Sequence, residues 1–134
     1  LILVLLLTGK KKQTPLTDVK TEALQAVNKY KTQENSEGLV TVEATPIELS
    51  TTKNNSFSVS LSTHSIALDK DLKEISILID DQARECKPIG WDGGEGGHHL
   101  EGKLVFPKVK AGTKEIKLII YGIAGIDREF KWNP

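Results

Sequence analysis

A chain of 134 residues with 18 basic and 18 acidic side chains carries no net charge. The length suits one domain with a short extension. The balance lends no support to nucleic acid as a partner, because DNA and RNA binders usually gather basic charge on one face. Cys86 is the one cysteine, which excludes an internal disulfide and a thiolate-rich zinc cage.

Leu1 to Leu7 is an unbroken aliphatic run followed by Thr8-Gly9 and three lysines, Lys10 to Lys12. It is far short of the ~20 apolar residues that span a bilayer. Residues 1–12 therefore read as the remnant of a signal peptide or anchor; an uncleaved anchor or a buried strand are the alternatives. Leu7-Thr8-Gly9 resembles the opening of a bacterial lipobox, with Lys10 where the lipidated cysteine would stand. This reading expects an extracytoplasmic, membrane-anchored or secreted protein of the bacterial cell envelope, touching the membrane only through its N-terminal segment.

Residues 13–38 are polar and read as a tether. Thr17 to Thr32 has Val19, Leu24, Val27 and Tyr30 near helical spacing, with Thr17 or Asp18 as N-cap. The stripe is thin, so a solvated tether is the alternative. Gln33 to Gly38 reads as a linker.

From residue 39 the periodicity becomes two. Strands are expected over 39–49, 56–62, 72–79, 84–89, 100–106, 115–121 and 126–132. Pro46 places the first at an edge or a kink. Phe57, Val59 and Leu61 alternate with serines, and Ile75, Ile77 and Ile79 share one side of the third. In the last strand Arg128 is in phase with Phe130 and Trp132. About seven short strands over residues 39–134 predict an all-β, immunoglobulin-like antiparallel β-sandwich, without the disulfide and core tryptophan of antibody domains. A small open barrel is the other architecture.

If successive strands run antiparallel, their turns alternate between the two ends. One end then gathers residues 63–71, 90–99 and 122–125. All three histidines, His64, His98 and His99, fall in that set with Asp69, Asp71, Trp91, Asp92 and Glu95. Imidazole is the commonest protein ligand for zinc and copper, and an acid can complete the shell. His64 with His98 or His99, plus Glu95 or Asp92, forms the candidate set. Adjacent strand residues point to opposite faces, so parity turns His98 inward with Leu100 and Leu104 and leaves His99 outside. Backbone capping, or packing on Trp91, is the competing role for His98.

Other chemistries fit less well. The glycines at 90, 93, 94, 96 and 97 supply turn conformations, and the phosphate-loop lysine pattern is missing. The acids lack the spacing of a calcium loop. Ser62 and Ser65 flank His64, but neighbours in sequence do not make a catalytic triad, so no enzymatic activity is expected. Arg128, expected to be buried near the same rim, calls for a carboxylate partner, Asp69 or Asp92. Trp91, Arg128 and Asp69 are thus expected to form a structural rim.

Thr63-His64-Ser65, Trp91-Asp92-Gly93, Gly96-Gly97-His98-His99, Gly102-x-Leu104-x-Phe106-Pro107 and Arg128-x-Phe130-x-Trp132 together resemble a family of uncharacterised bacterial exported or lipoprotein β-sandwich domains. The resemblance spans about Thr41 to Pro134. It implies an extracytoplasmic setting and a part for the histidine rim; it implies no substrate. The expected function is an extracytoplasmic binding domain that takes zinc or copper at that rim. The alternative is a structural or adhesion module of the cell envelope, with an envelope protein as partner and no small-ligand site.

Overall fold

The computed structural model describes residues 30–134, so the signal or anchor segment and nearly all of the helix expected at 17–32 lie outside the described residues. Residues 30–32, the end of that range, are not helical.

Nine strands and one helical turn follow: β1 (Gln33–Asn35), β2 (Val40–Glu48), β3 (Asn55–Thr63), α1 (Leu72–Ile75), β4 (Ser76–Asp80), β5 (Glu85–Cys86), β6 (Gly90–Trp91), β7 (His99–Phe106), β8 (Ile116–Ile123) and β9 (Ile126–Trp132). They form two antiparallel sheets in the orders β1-β2-β3-β7-β6 and β5-β4-β8-β9. The architecture is a β-sandwich. Setting β1 aside, the orders match the ABED and C′CFG arrangement of immunoglobulin-type domains.

Period-two alternation builds the core. Val40, Val42 and Ala44 of β2, Phe57, Val59 and Leu61 of β3, and Leu100, Leu104 and Phe106 of β7 are buried from one sheet. Leu78, Ile116, Leu118, Ile120, Phe130 and Trp132 meet them from the other. Removing each of the larger side chains from water favours the fold by about 1.5–3 kcal/mol, and the Ala44 methyl by less. Phe57 bridges the layers, its ring 5.4 Å from that of Trp132 and 5.8 Å, edge-on, from that of Phe106.

Three features depart from the sequence reading. Gln33 to Asn35, expected in a linker, is a strand paired with Val42 to Ala44. Its side chains anchor it across the sandwich. The Gln33 amide accepts from the Lys131 N–H at 3.0 Å and donates to the Lys131 carbonyl. The Trp132 indole donates to the Lys31 carbonyl at 3.0 Å. The sandwich thus begins before residue 39.

The expected strand 72–79 opens instead with α1, because the Asp71 carboxylate accepts from the Lys73 N–H and caps the turn. The expected strand 84–89 is divided: β5 pairs with β4, whereas Ile89 already donates to the Val105 carbonyl of the other sheet. The chain crosses between layers at Pro88, which has no N–H to leave unpaired.

Candidate binding site at the loop end

Strand reversal brings the loops together as the topology argument requires. The Thr63 N–H donates to the His98 carbonyl at 3.0 Å, and the Leu68 N–H donates to the Gly97 carbonyl at 3.1 Å. Gly96 N–H returns a bond of 2.5 Å to the Leu68 carbonyl. Gly96 and Gly97 both have positive φ, 102° and 76°, a conformation that side chains rarely adopt. The 63–71 loop is therefore held to the 96–98 loop by main-chain bonds.

The histidine side chains do not converge. His64, His98 and His99 are all exposed. His98 was expected inside on strand parity; it lies in a bend before β7 begins at His99, so the alternation that would turn it inward has not started. His99 Nδ1 lies 3.2 Å from Ser62 Oγ, its cross-strand partner, and His99 Nε2 is 3.9 Å from a Glu101 carboxylate oxygen. That last distance is an ion-pair separation beyond hydrogen-bond range. Glu95 is exposed, and Asp92 is committed elsewhere. Among the described residues, no three His, Cys, Asp or Glu side chains are grouped closely enough to hold a metal ion.

The Trp91–Gly102 motif has a structural account. Trp91 pairs with Leu104 at the sheet edge. The Asp92 carboxylate accepts from the Lys103 N–H at 2.6 Å, and the Trp91 indole donates to the Gly94 carbonyl at 2.8 Å. The indole lies where a side chain on Gly93 would be. Only glycine fits beneath it.

Arg128 is fully buried at 0% exposure, but neither Asp69 nor Asp92 is its partner. Its guanidinium donates to the carbonyls of Ile126 (3.2 Å), Asn35 (3.3 Å), Val40 (2.9 Å) and Ile123 (2.8 Å), and to the Asn35 side-chain oxygen at 3.0 Å. Desolvation draws its pKa down, and the charge of Glu37 opposes that shift. Five donors in a rigid fork suit a ring of carbonyls. Arg128 thus ties the 35–40 turn to the β8–β9 hairpin.

What the loops do enclose is a cleft of about 380 Å³ between residues 66–70 and 122–125. Its floor is Leu61, Leu68, Leu100 and Ile123, all buried. The β8–β9 turn forms the opposite wall, with the Gly122 N–H held by Asp127 at 3.0 Å. Asp69 and Lys70 line the mouth, both exposed, and neither side chain has a hydrogen bond or ion pair among the described residues. Of these, Asp69 alone was a sequence candidate. The aliphatic floor was already assigned to the core, so nothing in its pattern marked it as a wall.

At the far end Asp80 and Asp81 sit apart from this site, Asp81 accepting from the Lys114 N–H at 3.1 Å. The half-buried Cys86 is also there; burial, and then the charge of Asp80, push its thiol pKa up. Compared with known proteins, the chain significantly matches no family model, no curated protein and no solved structure.

Proposed function

We propose that the chain is an extracytoplasmic binding domain that works from the loop end of its sandwich. The observation that carries this reading is the 380 Å³ cleft, with buried aliphatic floor and, among the described residues, two unpaired charges at its mouth. Its size lies at the lower end of the range for small-ligand pockets, and loops on a rigid scaffold are the usual position for binding residues. The export setting rests on the apolar start of the chain and its lipobox-like residues. Zinc or copper at the histidine rim is left out, since a metal site needs three or more converging ligands.

One observation favours a second reading, an assembly module of the envelope. Leu39 is 73% exposed, at φ 67°, on the turn beside this end. A bulky residue held in the left-handed region is strain of the kind that functional turns store, and its exposed side chain is open to a protein partner.

The test is hydrogen exchange of the full chain, incubated separately with a small-molecule extract and with envelope proteins. Protection at 63–71 and 122–125 by the small molecules supports the first reading. Protection around Leu39 by the proteins alone supports the second. Exchange unchanged in both overturns both.

A further inference from the structure

We infer that the cleft takes a short aliphatic peptide or amino acid with free ammonium and carboxylate groups. This deepens the binding-domain reading and rests on it. The floor is built from Leu61, Leu68, Leu100 and Ile123, and among the described residues no aromatic ring lines the cleft. Flat rings and sugars, which favour aromatic platforms, therefore gain little here, whereas a branched aliphatic side chain fits the surface it meets.

The mouth supplies one anion and one cation on consecutive residues, Asp69 and Lys70, and they form no ion pair with each other. A ligand bearing a single charge would satisfy one and face the like charge of the other. A zwitterion satisfies both. At about 380 Å³ the space lies in the lower part of the range for small-ligand pockets, enough for one or two amino-acid residues. The wall needs no assembly, because Leu68 is fixed at both its N–H and its carbonyl by Gly97 and Gly96.

The experiment is an amide-resolved NMR titration of the full chain with leucyl-leucine, and with the same dipeptide acetylated at its N-terminus and amidated at its C-terminus. Saturable shifts at residues 66–70 and 122–125 are expected, weaker for the blocked dipeptide. Asp69→Asn and Lys70→Gln, both exposed and without partners among the described residues, are each expected to weaken binding about two- to fivefold. Ala67→Phe, which fills the cleft, is expected to abolish it, with the melting curve confirming the fold. No shifts up to the dipeptide's solubility limit, or equal binding of the blocked form, would overturn the inference. If leucyl-leucine is silent while a small-molecule extract still protects 63–71, this inference falls and the binding-domain reading stands. If both are silent, both fall.

Discussion

Gly93 and Gly102 meet backbone to backbone: a Cβ added to Gly102 would lie 2.5 Å from both N and Cα of Gly93, and 2.7 Å from an Asp92 carboxylate oxygen. Gly102 shares the inward phase of Leu100 and Leu104, yet the chain after Trp91 folds over it where a side chain would normally fill the core. Gly102→Ala is therefore expected to cost about 1–3 kcal/mol, as overpacking does. Gly90→Ala is the control, since nothing lies within 4 Å of its added Cβ. Urea unfolding of both variants checks the contrast. Equal stabilities would show that the 92–93 segment moves aside freely.

Arg128→Met would remove the donors that serve the Val40 and Ile123 carbonyls. Each orphaned buried group costs about 1–3 kcal/mol, so a loss of roughly 2–6 kcal/mol is expected if neither finds water. Hydrogen exchange should rise first at the 35–40 turn and the β8–β9 hairpin. A uniform rise across both sheets would contradict the assigned role.

Asp80 is expected to contribute to the acid dependence of stability. Burial alone would raise its pKa, but N–H bonds from Arg84 and Gln82 and the Arg84 guanidinium at 2.7 Å outweigh that and hold it below the ordinary 3.8. A depressed carboxylate pKa stabilises the fold above the unfolded value, and that contribution is lost as pH falls through the folded value. Melting temperature should thus drop on acidification from about pH 4 downward. Asp80→Asn should be less stable at neutral pH and flatter across that window. An unchanged acid limb in Asp80→Asn would assign the dependence elsewhere.

Leu39 occupies the left-handed region at φ 67° with its side chain largely in water. The conformation costs an L-residue about 1–2 kcal/mol, and little packing is at stake. Leu39→Asn is expected to raise stability by about 0.5–1 kcal/mol, since asparagine tolerates that region. Thermal denaturation measures it; a lower melting temperature would mean that Leu39 holds the turn through contacts.

Zinc or copper added to the protein is expected to leave its melting temperature unchanged, because ligands that do not converge in the folded state give a metal no preference for it. A concentration-dependent rise would show that the histidines can gather.

The strands legible in the sequence are those whose two faces differ. Phe57, Val59 and Leu61 against Ser56, Ser58 and Ser60 give a correct phase for β3, and Arg128, Phe130 and Trp132 give one for β9. β1 was hidden because Gln33-Glu34-Asn35 has no apolar face; its partners are polar groups distant in the chain. A signal for α1 was present in Asp71-Leu72-Lys73-Glu74, whose Asp-x-x-Glu spacing resembles a capping box, but Ile75, Ile77 and Ile79 read more strongly as a strand. Topology brought His64 and His98 to a common edge, yet direction of side chains was beyond it: positive φ at Gly96 and Gly97 resets the phase just before the histidines. Arg128 was expected to need a carboxylate because burial of a charge suggests a countercharge. Carbonyls from four residues served instead, and no local pattern announces which carbonyls a fold will aim inward.

The Gln33 amide has a consequence for life among other copies. β9 is the outer member of its sheet, and an outer strand offers unpaired peptide groups to any passing chain. By engaging both the N–H and the C=O of Lys131, Gln33 imitates one rung of a neighbouring strand and shuts that rung to strangers. A single uncharged side chain thereby removes one open rung from that edge and leaves less of β9 for another chain to pair with.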